Sequence, residues 1–244
     1  MWNRKKVSVV FSTYNEKETI RRFIEDLFAT KVVDEVIAVD NNAVKGTKEL
    51  IKKTKAKYFF EPKQGFGNGY QRALREARGD IIITSEPDGT YVARDILKLL
   101  AYSDEFDVVC GTRTTSILIG EGANMGFLMK WANWAFAKMI EIMFNTAQLT
   151  DVGCTYRLIS RRAFEKMRNE GMDGGNVFQK DWMLHIIRRK IPFIEVPVNF
   201  LKRSGESHGA ANTLKATKIA IQTLFLIMKH RFNIIKVRKK LKIG

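Results

Sequence analysis

Four short β-branched runs separated by helix-spaced segments open this chain, and that alternation restricts its fold more than any other feature. Residues 7–12, 35–40, 57–60 and 80–84 read as strands. Between them, residues 16–29 carry apolar side chains at helical spacing (Ile20, Phe23, Ile24, Leu27 and Phe28), and 46–53 and 68–77 read as further helices, the last stopped at Arg78-Gly79. Such a rhythm predicts an α/β fold with a mainly parallel sheet and helices on both faces. Ligands of such sheets collect at the carboxyl ends of the strands.

Three of those ends are polar and acidic: Ser12-Thr13-Tyr14-Asn15-Glu16, Asp40-Asn41-Asn42, and Ser85-Glu86-Pro87-Asp88. One such end alone reads as a helix cap. Three on one edge point to a site. Glu86 and Asp88, one residue apart, suit a shared hard cation, Mg²⁺ or Mn²⁺, which takes oxygen ligands and bridges to phosphates. Asp40 is placed to accept hydrogen bonds from a base or ribose. The glycine-rich run from Gln64 to Gly69 precedes a helix. It suits a close backbone approach and phosphate at a helix N-terminus, but it has no P-loop lysine and also reads as a plain turn.

The second half follows a different pattern. A fifth strand is expected over 107–111. Residues 125–144 form a long aromatic helix with apolar residues on several faces, either core-packed or lipid-facing. Strands over 152–160 and 192–201, helices over 162–168 and 178–188, a loop over 202–208 and a closing amphipathic helix complete the chain. Its 244 residues suit one α/β domain with a short appendage, and 45% apolar residues supply a core. Two cysteines, Cys110 and Cys154, have neither disulfide nor metal spacing and indicate a reducing, cytoplasmic setting. No run reaches the ~18 apolar residues of a membrane span. The net charge of +16 calls for an anionic partner. The basic tail over 229–242, interleaved with apolar residues, reads equally as a membrane-surface segment or a solvated helix end.

Taken in order, the strand-one motif, Val39-Asp40-Asn41-Asn42 with Gly46-Thr47, Gly65-Phe66-Gly67-Asn68-Gly69, and Glu86-Pro87-Asp88-Gly89 resemble family 2 glycosyltransferases. Gly111-Thr112-Arg113, Asp151 to Arg157 and Arg203 to His208 resemble the dolichyl-phosphate mannose and glucose synthase branch. The resemblance implies a GT-A (Rossmann-like) domain over 1–208, followed over 209–244 by an amphipathic, basic helix and tail. It implies inverting hexose transfer from a UDP- or GDP-sugar. Thr13, Tyr14, Glu16, Asp40, Gly67 and Asn68 would hold the nucleotide-sugar. Glu86 and Asp88 would hold metal and diphosphate, and Arg203, with Arg113 and Arg157, would meet substrate phosphate. The chain departs from the family pattern at Ser12 (usually proline), Asn41 (usually the second acid), Glu86 (usually Asp) and His208 (often lysine).

A phosphate acceptor needs no base, whereas a sugar hydroxyl needs one. Asp181 and Asp151 are the candidate bases, with helix capping or ion pairing as their alternative roles. Arg203, the aromatic helices and the basic tail favour a polyprenyl-phosphate acceptor and a peripheral position at the cytoplasmic face of a membrane. Nucleotidyl transfer fits poorly, because strand one is followed by no glycine- and arginine-bearing loop. Nucleic-acid binding fits the charge but not the acidic strand ends. An inactive scaffold is the remaining alternative, raised by Glu86 and Asn41.

Overall fold

The computed structural model describes residues 1–123, 127–204 and 213–232. Residues 205–208 of the last motif and the tail beyond 232 therefore lie outside the described residues. Strands β1 (Val7–Thr13), β2 (Glu35–Asp40), β3 (Lys57–Phe60) and β4 (Ile81–Thr84) alternate with helices α1 (Ile20–Ala29), α2 (Thr47–Lys52) and α3 (Phe66–Glu76). Then come α4 (Ile96–Leu100), β5 (Val108–Thr112), α5 (Phe127–Phe144), β6 (Arg157–Ser160) and α6 (Arg161–Glu165). Helix α7 (Phe178–Arg188), β7 (Phe193–Pro197) and α8 (Thr213–Arg231) close the chain.

The seven strands form one sheet in the order β3-β2-β1-β4-β6-β5-β7. All neighbours are parallel except at β6, which runs antiparallel to both β4 and β5. The expected parallel sheet is thus interrupted by one reversed strand. The strand expected over 152–160 is shorter, its ladder with β4 beginning at Arg157, two residues after Thr155 reaches Glu86. Helix α4, too short for a periodic signal, was not legible in the pattern.

Both faces of the sheet are covered, so its strands are near-continuously apolar. Val10, Ile37, Val39 and Ile82 face one cluster with Tyr70, Phe178 and Trp182. Val9, Phe11, Ala38 and Ile83 alternate onto the other, with Phe23, Ile24 and Leu27 of α1. Helix α8 lies against α5 and α7. Its Leu226 and Ile227 are buried, each contributing about 1.5–3 kcal/mol of apolar burial. Its opposite side exposes Ile221, Leu224 and Phe225. Helix α5 divides likewise, with Ala137 and Ile140 buried and Trp131, Trp134 and Ile142 exposed. Among the described residues no helix is long and apolar enough to cross a membrane.

Candidate active site

The loops after β1 and β4 meet at the carboxyl edge of the sheet. Glu16 folds back over its own loop: Oε2 accepts from Thr13 Oγ1 at 3.0 Å, from Tyr14 N at 2.8 Å and from Asn15 N at 3.0 Å. Its other oxygen lies 3.3 Å from Arg203 Nη2, and Arg203 Nε lies 3.4 Å from Asp88 Oδ2. One guanidinium therefore spans two strand ends. Asp88 is 1% exposed. Its Oδ1 accepts from Thr90 N at 2.9 Å and Thr90 Oγ1 at 2.6 Å, and its carbonyl accepts from Ser204 N at 2.9 Å. The segment carrying Arg203 is thus tied to the Asp88 loop through the backbone.

Glu86 accepts a hydrogen bond from Thr155 Oγ1. Burial and the adjacent Asp88 push its pKa up to about 7, against the opposing pull of Thr155, Arg203 and Arg113. Two carboxylates so placed repel each other, and a divalent cation would relieve that repulsion through oxygen ligands of the kind Mg²⁺ and Mn²⁺ prefer. The donor set fits such an ion.

Asp40 pairs in register with Thr13. Its Oδ1 accepts from Ala43 N at 2.7 Å and its Oδ2 from the Tyr58 hydroxyl at 2.9 Å. Burial, with this bond second, raises Tyr58 to about 12. Asn41 explains itself once the loop over 61–65 is in view. Its Nδ2 donates to Glu61 O and Lys63 O, both at 2.9 Å, and its Oδ1 accepts from Gly65 N at 2.9 Å. A carboxylate cannot donate either bond. Asn41→Asp is expected to cost about 3 kcal/mol by orphaning two carbonyls and burying a charge. A calorimetric scan should show that as a fall of roughly 10 °C in Tm.

At four of the positions nominated from the sequence the structure shows internal partners. In the glycine-rich run α3 begins at Phe66, and the amides of Gly67 and Asn68 donate to Gly175 O (3.2 Å) and Gly174 O (3.0 Å). These glycines serve close packing. A Cβ on Gly67 would sit 2.2 Å from Asp173 O, and one on Gly69 2.0 Å from Ser12 Oγ. Arg157 is fully buried, with its guanidinium 4.9 Å above the Trp182 ring and Nη1 donating to Gln179 O at 3.2 Å. It faces the core because the alternation along β6 sends it toward Trp182, on the side opposite Leu158. Asp151 is clamped by Arg113 through two bonds of 2.7 and 2.9 Å. Despite burial, that pairing holds its carboxyl below the usual range. Asp181 accepts from Asp173 N at 2.6 Å and sits 2.7 Å from His230 Nε2. Both aspartates carry partners on each carboxylate oxygen.

Two further cations lie beside Asp151. Arg113 is close enough to Glu86 to lower its pKa, and its guanidinium lies 5.1 Å from the Phe200 ring centroid. Lys180, which the sequence reading missed, is half-buried on the first turn of α7. Burial lowers it to about 8, while Asp151 opposes the shift and Arg113 adds to it. No signal in the sequence marks it, since it stands between Gln179 and Asp181. Beyond Arg113, Thr114, Lys130, Trp131 and Trp134 line a cavity of about 330 Å³. At the opposite end of α7, burial and the neighbouring His230 lower His185 to about 3, keeping its ring neutral. Its Nε2 has no hydrogen-bond partner among the described residues, an orphan costing about 1–3 kcal/mol.

Comparison with known proteins places these features in context. The family described as Glycosyl transferase family 2 matches residues 8–168. A dolichyl-phosphate hexose transferase of Haloferax volcanii is 27% identical over 208 residues, covering 82% of this chain and 85% of the relative. The low-salt glycan biosynthesis hexosyltransferase Agl6 of the same organism is 25% identical over 208 residues, covering 83% of this chain and 49% of the relative. Glucosyl-3-phosphoglycerate synthase of Mycobacterium tuberculosis, solved with Mn²⁺, UDP-glucose and phosphoglyceric acid, superposes with a TM-score of 0.73 at 13% identity. That match covers 94% of this chain and 80% of the synthase, and it establishes a shared fold.

Proposed function

The chain belongs to glycosyl transferase family 2, and on that premise we propose that it moves a hexose, with inversion, from a UDP- or GDP-sugar to a polyprenyl phosphate. The sheet with its flanking helices has the GT-A fold that the motifs led us to expect. The observation that carries the acceptor assignment is the pairing state of the charged groups. Asp151 and Asp181 are both engaged, while Arg203 and Arg113 lie by the acids Glu86 and Asp88 and Lys180 lies near Asp151 and Arg113. That arrangement suits an acceptor that arrives already ionised.

In this reading Thr13, Tyr14, Glu16 and Asp40 surround the nucleoside at the β1 and β2 ends. Glu86 and Asp88 would hold Mg²⁺ or Mn²⁺, which when bound would neutralise charge on the departing diphosphate. Arg203 reaches the same diphosphate from the other side. Lys180 and Arg113 orient the acceptor phosphate, one of whose oxygens attacks the anomeric carbon opposite the leaving group. The bond from that carbon to the diphosphate breaks, and the electron pair leaves with the nucleotide. No proton has to be removed from the attacking atom.

The exposed apolar sides of α5 and α8 support a peripheral position at a membrane surface. The Haloferax relative's name supports a dolichyl-type acceptor. To test this, radiolabelled UDP- and GDP-hexoses are supplied with Mn²⁺ and polyprenyl phosphate in detergent. Label should enter the lipid and stop doing so with chelator. Lys180→Ala should raise KM for the lipid about tenfold, near 1.4 kcal/mol, with kcat largely kept. Transfer to a free sugar hydroxyl, with lipid phosphate ignored, would refute the acceptor assignment.

A further inference from the structure

Between α7 and α8 lie three buried side chains that sugar transfer does not use. Asp181 and His185 stand one turn apart on α7, on the same face. His230 enters from the last turn of α8. They are 4%, 5% and 3% exposed, and they include two of the chain's three histidines. His230 Nε2 lies 2.7 Å from Asp181 Oδ1, and His185 Nε2 lies 3.6 Å from the same oxygen. One ligating atom from each residue falls within 4.8 Å of the others. The two rings cross edge to face, with centroids 4.8 Å apart.

The surroundings orient these atoms. His185 Nδ1 pairs with the Glu170 carboxylate, which fixes that nitrogen as the protonated one and turns the lone pair of Nε2 toward Asp181. This is the carboxylate–histidine arrangement found behind metal-bound imidazoles. Asp181 Oδ2 is held by Asp173 N at 2.6 Å, which leaves Oδ1 for the cluster. A buried lone pair aimed at a carboxylate oxygen, with no partner of its own, lacks a positive charge between the two.

We propose that Asp181, His185 and His230 bind one zinc ion, which clamps α8 onto α7. Two imidazole nitrogens and one carboxylate oxygen suit a borderline-soft ion better than Mg²⁺ or Mn²⁺. Tetrahedral bonds of about 2.0–2.2 Å place donor atoms roughly 3.3 Å apart, and the observed separations of 2.7 and 3.6 Å straddle that value. Water takes the fourth position. The site is separate from the all-oxygen pair Glu86 and Asp88, and it stands whether or not the acceptor assignment holds.

The test uses the whole chain, stripped with chelator and titrated with Co²⁺ as a coloured stand-in for zinc, followed by zinc competition. One equivalent of Co²⁺ should give the intense visible bands of a four-coordinate nitrogen–oxygen site, and zinc should bleach them. Asp88→Ala should keep these bands; His185→Ala and His230→Ala should lose them. Glu170→Gln should weaken cobalt binding about 10–100-fold. If either histidine variant does not fold, the native titration decides alone. Only weak octahedral-type absorption at saturating Co²⁺, or bands that vanish in Asp88→Ala and persist in a folded His230→Ala chain, would overturn the proposal.

Discussion

Replacing Asp88 by asparagine should lower kcat/KM by about 10³-fold or more while leaving the fold intact. The reason lies in how the two carboxylate oxygens are divided. Oδ1 is occupied by Thr90, through its amide and its hydroxyl, and an asparagine carbonyl can accept both bonds. Oδ2 faces Arg203 at 3.4 Å beside Glu86. That side loses its charge, and with it the hard-cation site and half of the Arg203 pairing. Melting temperature should therefore change little, while calorimetric binding of UDP- and GDP-sugars with Mn²⁺ disappears. A variant that still bound donor in a metal-dependent way would move the metal site away from Asp88.

Glu86→Gln should have opposite effects on stability and on function. The folded-state pKa of Glu86 lies at about 7 against a reference of 4.5. A raised acid binds its proton more tightly in the folded chain than in the unfolded one. Its contribution is thus fully present below about pH 4.5 and is lost as pH rises through 7. The difference is on the order of 3 kcal/mol between pH 4.5 and pH 8 in the metal-free chain. Denaturant unfolding at pH 5 and pH 8, with chelator, should show that loss in the native chain and not in Glu86→Gln. Saturating Mn²⁺ at pH 8 should restore stability to the native chain only. The same substitution should weaken metal-dependent donor binding, so the metal-free chain gains stability by giving up a ligand. Equal pH dependence in both chains would show that the two acids do not repel as placed.

Much of the candidate site was legible because it follows local rules. Alternating β-branched runs and helical spacing specify a parallel α/β sheet, and such a sheet brings its strand ends to one edge. Glu16, Asp40, Glu86 and Asp88 could be nominated from position alone, and the structure puts Glu16, Glu86 and Asp88 within reach of a single arginine network. The direction of each cation was not legible. Arg113, Arg157 and Lys180 look alike in sequence. Arg157 points into the core over Trp182, whereas Arg113 and Lys180 lie beside Asp151. Asn41 looked like a lost acid until its two donated bonds were seen.

The chain's own order of residues thus determined the layers, the reading edge and the acids along it, since these depend on periodicities of two and of 3.6 residues. Tertiary packing alone decided which charges meet. Arg203 reaches Glu16 across 187 residues, and His230 reaches Asp181 across 49. Pairings of that span arise only when separate elements are pressed together by burial of their apolar faces, and no local pattern encodes them.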